Sequence, residues 1–511
     1  MARAMVMWVA LLLVLCTIGC NVVPELQSPS SLPASDSSRT KFHTIDGSLY
    51  LMDEYEVVDG AIRGVGRVYD LDRALVRRGH LELPLTSIAV VETSSLEFRA
   101  EAVPMMLATA GMIAGAVACA ANPKACFGSC PTFYVPDGER WRLQAEGFST
   151  SVASTLEATD LDPLSNAVAD DGFVTVAMRN EALETHFVRS LAVVTAQGPP
   201  GSTVALTHDG EFVATGVARS AAACAWEHDV CPTLAKADGN ELLPESDPSD
   251  LAARTSIELR FAAPASTSVG LVVSARNSLM TTHVMYRIIA LLGRSYGHFI
   301  ERLEQGDGRL LASLGRFDLV LGDLDVSVRQ EGGAWRRAGG IGYLGPIAKS
   351  RLVVPIELEH PDEPVHVRLD MARANWRIDA VGLAPILARD LRTTRSTPEL
   401  VSVNGRARPR VQTWLEDGTE PLVTLPGDEV RLRFAVPSSE NAAVGYFIES
   451  RGYYYEWMRR EWLREEDVAA AYRFLDDPRA ALREMAPGYK AVEARMDALF
   501  EASRVSVGGA P

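Results

Sequence analysis

SIELRFA (residues 256–262) followed by SVGLVVSA (residues 268–275) decides the fold class, because both stretches alternate with period two. Ile257, Leu259 and Phe261 fall on one side of an extended chain, and Ser256, Glu258 and Arg260 on the other. The same period recurs before them in TFYV, RWRLQAE, FVTVAM and TVALT. It recurs after them in FDLVL, LDVSV, RLVVPIEL, VHVRL, WRIDAVGL, VRLRFAV and GYFIE. Turn signals such as PDG and HDG stand between the runs, so the reading is mainly β, with two β-sandwich, jelly-roll-like domains. The first is expected over residues 124–275 and the second over 306–449.

Other periods interrupt this pattern. NSLMTTHVMYRIIALLGRSYGHFIERLEQ carries apolar residues at helical spacing and predicts a linker helix over 276–305. Residues 450–511 read as a helical tail, with breaks at Asp476-Asp477-Pro478 and at Pro487-Gly488. Ahead of the sandwiches, GSLYLMDEYEVV, AIRGVGRVYDL and LTSIAVVET predict a small β unit over 41–100. Residues 101–123 then form an apolar segment, uncharged from Ala102 to Pro123 and containing Gly111-Met112-Ile113-Ala114-Gly115. Its eight alanines weaken any drive into lipid, so burial and membrane association both stay open.

The N-terminus carries an address. Arg3 precedes the apolar run to Gly19, and Thr17-Ile18-Gly19-Cys20 closes it, the layout of a bacterial lipoprotein signal peptide over residues 1–19. Lipidation is expected at Cys20, with ordinary secretion and an uncleaved anchor as alternatives. Residues 20–40, rich in Ser and Pro, read as a solvated tether. The body then belongs to the cell envelope, in the periplasm or at the cell surface, with the outer membrane favoured.

Composition bounds the partners. The 511 residues include 50 basic and 66 acidic side chains, a formal net charge of −16. That sign argues against nucleic acid, whose phosphates need Lys and Arg. Seven cysteines include Cys16 and Cys20 of the signal, the lone Cys119, and two close pairs, CFGSC (Cys126, Cys130) and CAWEHDVC (Cys224, Cys231). An exporting cell favours two local disulfides. A four-thiolate zinc site is the alternative, although the second spacing is wider than structural zinc sites use. The histidines show no ligand pair on one helix face, so no metal and no cofactor is expected.

KACFGSCPTFYVPDGERWRLQAEGFS, followed by DLDPL and by VTVAMRNEALETHFVRSLAVV, resembles a block set in an uncharacterised family of bacterial exported proteins and lipoproteins; LPGDEVRLRF and ESRGYYYEWMRREW are similar to further blocks of it. The resemblance implies export and covers most of the mature chain. It implies no activity.

Motifs for chemistry are sparse. Gly293-Arg294-Ser295-Tyr296-Gly297 fits G-x-S-x-G, which would make an envelope hydrolase using Ser295 if a strand delivered it to a sharp turn. Gly340-Ile341-Gly342-Tyr343-Leu344-Gly345 has dinucleotide-fingerprint spacing but is followed by Pro346 rather than a helix. Asp160, Asp162, Asp170 and Asp171 form an acidic cluster without calcium-hand spacing. Aromatic residues are the remaining candidates: Trp335, Tyr453, Tyr455 and Trp457 could offer flat faces to a glycan, or could pack a core. The expectation is a non-enzymatic, membrane-anchored envelope lipoprotein acting by binding or assembly with an envelope protein partner, and alternatively a carbohydrate-binding surface protein.

Overall fold

A computed structural model describes residues 20–98 and 131–507 apart from 28, 30–31, 37–39, 71–74, 439–440, 460–461 and 506. The signal segment, the apolar segment 101–123 and Cys119, Cys126 and Cys130 lie outside the described residues. The molecule is mainly β with a helical C-terminal tail, and it divides into two compact units.

The first unit holds residues up to 116 together with 288–312 and 457–472. Its sheet contains β1 (Cys20–Gln27), β2 (Ser35–Asp36), β3 (Thr40–Thr44), β4 (Leu49–Val58), β5 (Ala61–Tyr69), β6 (Leu75–Pro84) and β7 (Ile88–Phe98), in the order β1-β7-β3-β4-β5-β6 with β2 on β4. Asp59 and Gly60, both at positive φ, make the two-residue hairpin between β4 and β5. A single 3-10 turn (Leu85–Ser87) links the far edge strand β6 to β7, and hydrogen bonds Leu85 N to Gly60 O and Ile45 N to Ser87 O fix that crossing. Phe42, Met52, Tyr55, Ile62, Leu81, Leu83 and Val91 fill the inner face. The segment read as a tether is therefore partly sheet: β1 pairs with β7 from Cys20 onward.

The second unit holds residues 117–287, 313–456 and 473–511. It begins with β8 (Thr132–Asp137), β9 (Arg140–Glu146), β10 (Ala158–Pro163), β11 (Phe173–Arg179) and β12 (Glu184–Gly198). Next come β13 (Thr203–Thr207), β14 (Phe212–Thr215), β15 (Arg219–Ser220), β16 (Ala223–Ala225), β17 (Arg254–Phe261) and β18 (Ser268–Asn277). After helices come β19 (Leu324–Arg329), β20 (Arg336–Ile341), β21 (Ser350–Glu357), β22 (Val365–Ala372) and β23 (Trp376–Ala388). The chain ends its sheets with β24 (Arg392–Ser396), β25 (Pro398–Val403), β26 (Arg406–Ala407), β27 (Leu422–Thr424), β28 (Glu429–Ala435) and β29 (Ala443–Glu456).

The middle block pairs only with itself. One sheet runs β14-β13-β21-β18-β23-β15, with β14 also pairing β23 so that it closes on itself, and the other runs β16-β17-β22-β19-β20. Ile257, Leu259, Phe261, Leu271, Val354, Val367, Leu369, Trp376 and Ile378 share one core between them. The flanking blocks combine: β26-β25-β28-β11-β8-β9 is one sheet and β10-β29-β12-β24, with β27 on β12, is another. This corrects the expected domains at 124–275 and 306–449. The strands between residues 203 and 388 form a sandwich inserted between the two halves of another β body, while residues 288–312 within that range belong to the first unit. Alternation marks which residues form a strand but carries no information on its partner, and β11 pairs with β28 from more than 250 residues away.

Three local readings also change. FDLVL is the end of the helix Gly308–Leu321, in which Leu310, Leu314 and Leu321 are buried and Leu319 faces solvent, a spacing that short apolar runs leave ambiguous. The linker over 276–305 is two helices, Met280–Leu292 and Tyr296–Glu304, separated by a 3-10 turn. The tail begins later than 450, because β29 continues to Glu456. Gly452 is no break there: a Cβ on it would stand 2.4 Å from the Phe187 carbonyl oxygen, so the close approach of β12 to β29 requires glycine.

The tail helices Pro478–Val492 and Met496–Ser503 dock on the chain's own β body. Leu482, Met485 and Tyr489 are buried, the Glu493 carboxylate accepts from Ser246 N and Oγ, and Arg377 of β23 pairs with Asp497 at 2.8 Å. Asp477 caps the first of these helices by accepting from Ala480 N. Pro487 lies inside that helix rather than ending it; burial of Met485, Ala486 and Tyr489 around it holds the chain helical despite the lost hydrogen bond.

Candidate binding face around Trp335

The sheet centred on β22 buries one face completely. Ile257, Leu259 and Phe261 of β17, Val365, Val367 and Leu369 of β22, and Leu324, Val326 and Val328 of β19 are at most 1% exposed. Period two then sends the intervening side chains outward, and the register stacks them in three rows. Ser256, Asp370 and Asp325 form one row, Glu258, Arg368 and Ser327 the next, and Arg260, His366 and Arg329 the third.

The acidic row is fully partnered. Two carboxylates stand directly opposite each other, Asp370 and Asp325, an arrangement that destabilises a sheet unless neutralised. Arg368 Nε donates to Asp370 at 2.9 Å, Ser256 Oγ donates to its other oxygen, and Arg254 and Arg337 reach Asp325 at 3.2 and 3.0 Å.

The basic row is not. Among the described residues neither Arg260 nor Arg329 makes an ion pair or a side-chain hydrogen bond. Desolvation holds His366 below the usual histidine pKa, Arg329 and Arg260 depress it further, and Glu331 and Glu258 act the other way. Trp335 sits beside this row, half-buried, with the Arg329 guanidinium 4.6 Å and the Arg368 guanidinium 4.9 Å from its ring centroid. Stacking occupies the flat face of a guanidinium and leaves its in-plane N–H groups free to chelate an anion.

The other predicted aromatics are in the core. Tyr453, Tyr455 and Trp457 are each 1% exposed, so they present no face to a glycan. Tyr453 stacks on Phe187 at 4.8 Å, Tyr455 meets Phe187 edge-on at 5.5 Å, and Trp457 packs edge-on against His43 at 5.4 Å. The run Tyr453-Tyr454-Tyr455 lies in a strand whose two faces are both covered.

Cys224 and Cys231 form the expected disulfide. Asp229 lies close enough to complete a ligand trio with them, but each sulfur is bonded to the other and offers no thiolate, which removes this pair from a zinc reading. Ser295 ends the 3-10 turn Gly293–Ser295 between two helices, so no strand delivers it and the nucleophile elbow is absent at that position. Gly340 ends in β20, and the following loop leads to β21 rather than to a helix, which excludes the dinucleotide fingerprint. Asp160 and Asp162 lie in β10, while Asp170 and Asp171 form the turn ahead of β11.

Sequence reading picked out Trp335 and missed Arg260, Arg329, His366 and Arg368. Each is the outward residue of an alternating strand, which the sequence shows; that three of them fall in one row depends on strand register. No protein-family profile matches this chain and no curated protein does, so the functional reading rests on the geometry of this face.

Proposed function

We propose that this chain is a non-enzymatic protein of the bacterial cell envelope, anchored through a lipid on Cys20, that acts by binding an acidic polysaccharide on the outer face of the β22-centred sheet. One observation carries the reading: the basic row Arg260, His366 and Arg329 lacks the internal partners that the acidic row, two rows away on the same face, has. Adjacent strands are about 4.8 Å apart, so the row spreads its donors over about 10 Å, which suits a repeating polyanion better than a single ion. The row lies on β17, β22 and β19, strands internal to the sheet, and its side chains project from the sheet face, so a ligand there is held by side chains and not by strand addition. With β1 beginning at Cys20, a lipid on that residue would hold the first unit close against the membrane surface.

The test is titration of the purified full-length protein with polygalacturonate, a linear polyuronate, and with dextran as the neutral control. Wild type is expected to bind the polyuronate in a salt-sensitive manner, with Arg260→Gln/Arg329→Gln and Trp335→Ala weakening it at least tenfold. Equal affinity for dextran, or full retention in the double variant, would overturn the reading. Lipid anchoring is checked separately: Cys20→Ser should move the protein from the membrane fraction to the soluble envelope fraction.

A second reading, docking of an envelope protein partner, draws on the outward face of the sheet containing β28. Leu400, 60% exposed, stands opposite Arg433, whose guanidinium lies 3.8 Å from the Phe173 ring centroid. A partner cross-linked in native membranes that is lost with Leu400→Asp would favour it.

A further inference from the structure

A cleft of about 310 Å³ opens where the ends of β10 and β29 meet β13 and the start of β21, at the lower end of the size range that holds small organic ligands. Its walls are polar and apolar in about equal parts: Val204 and Val444 give it accessible apolar surface above the buried Leu164 and Phe447, and Ser202, Thr203, Arg351 and Tyr446 also line it. Among the described residues no carboxylate pairs with Arg351, and neither its guanidinium nor the Tyr446 hydroxyl makes a hydrogen bond. The strand beside Arg351 supplies no acid: its register partner on β18 is Ser274. Arg351 is solvent-exposed at the mouth of the cleft and Tyr446 is half-buried; desolvation lowers the Arg351 pKa and raises the Tyr446 pKa, and no carboxylate opposes either shift. A guanidinium stays charged regardless, so the mouth of the cleft carries one uncompensated positive charge.

We propose that this cleft binds a small carboxylate with an apolar body, the carboxylate forked on Arg351 and bonded by the Tyr446 hydroxyl, and the apolar body laid against Val204 and Val444. A single guanidinium matches a single negative charge, and planar N–H pairs fit the two oxygens of a carboxylate. The apolar wall rewards a hydrocarbon body that an inorganic anion lacks. The site is separate from the Trp335 face and does not depend on it.

Calorimetric titration of the full-length protein with 3-phenylpropionate, 3-phenylpropanamide and 3-phenylpropylamine tests the assignment. The acid is expected to bind in the micromolar to low millimolar range. The neutral amide should bind at least tenfold more weakly, and the amine not at all. Arg351→Gln should weaken the acid at least tenfold while leaving the amide unchanged, and Tyr446→Phe should weaken the acid about three- to fivefold. Ala443→Trp, which fills the cleft from its rim without touching Arg351, should abolish binding of acid and amide alike. The assignment fails if wild type binds none of the three, if acid and amide bind equally, or if Arg351→Gln and Ala443→Trp, each with an unchanged melting temperature, retain wild-type affinity for the acid.

Discussion

Replacing Arg260 by Gln should raise the pKa of His366, by an amount that follows from the register. The two residues are directly opposite on β17 and β22, and Arg329 is directly opposite His366 from β19. Directly opposed side chains start about 5 Å apart at Cβ. With charged ends about 6 Å apart in a water-like dielectric, the repulsion is about 0.7 kcal/mol. Screening at physiological salt reduces that to about 0.3 kcal/mol, or about 0.2 of a pH unit in the midpoint. The double variant Arg260→Gln/Arg329→Gln should therefore titrate about 0.4 of a pH unit higher than wild type. It should still fall short of a free histidine, because desolvation is the first cause of the lowered pKa and the substitutions leave it in place. The assay is the pH titration of the imidazole carbon resonances, assigned with His366→Gln. Polygalacturonate should move the wild-type midpoint upward too, and by linkage its binding should tighten as pH falls through that midpoint. A midpoint that is unmoved or lower in Arg260→Gln would refute the basic row as an electrostatic unit. A polymer that binds without moving it would refute the row as the binding site.

Three further outcomes are expected. His186 is fully buried and pushed down to about 3, by desolvation first, with Glu456 and Asp428 pulling upward. The stability gained by keeping it neutral is fully present above its unfolded pKa of about 6.5 and is lost toward pH 3, at about 1.4 kcal/mol per pH unit. Asp318, raised to about 7 by burial and by Asp323, works in the opposite sense. The quantity to compare is therefore the fall in urea midpoint between pH 6.5 and 5 in wild type and in His186→Gln; equal falls would refute the assignment. Cys224→Ser/Cys231→Ser opens a loop of sequence separation 7 and should cost about 2.5 kcal/mol by loop-closure entropy, with no change on adding reductant. Trp335→Ala should leave the melting temperature unchanged and remove polyuronate binding, whereas Tyr453→Ala should cost about 3–5 kcal/mol; the reverse pattern would exchange their roles.

Local periodicity made most strands legible. SIELRFA, VHVRL and LDVSV each state which residues face inward, and β17, β22 and β19 follow them. Illegible were the features fixed by distant partners. The insertion of the strands between residues 203 and 388 is written only in which strand pairs with which, and β12 joins β29 across 245 to 272 residues. Tyr453 and Tyr455 were candidates as aromatics alone, a residue type that serves a glycan face or a core equally well. Their burial depends on Phe187 and the covering of both faces of β29, which no local window contains. Trp335 was named on the same ground, as an aromatic, and its half-burial beside Arg329 and Arg368 became visible only with the strand register.

The charge arithmetic of the whole chain pointed away from anionic partners, and the two rows on the β22-centred sheet explain why that inference is incomplete. A net charge of −16 describes the far field, which decides how molecules approach. Contact is decided within a Debye length, about 8 Å at physiological salt, and at that range the face is divided into an acidic row with every carboxylate neutralised and a basic row with its guanidiniums unpaired. Were both rows purely structural, the same sheet would have two equivalent problems and a solution to only one of them. Glu258 and Glu331 stand near enough to act on His366, yet neither closes an ion pair on Arg260 or Arg329. A local arrangement that costs stability and is left unrelieved, within a sheet whose acidic row two rows away is fully relieved, is where a binding function is expected to sit.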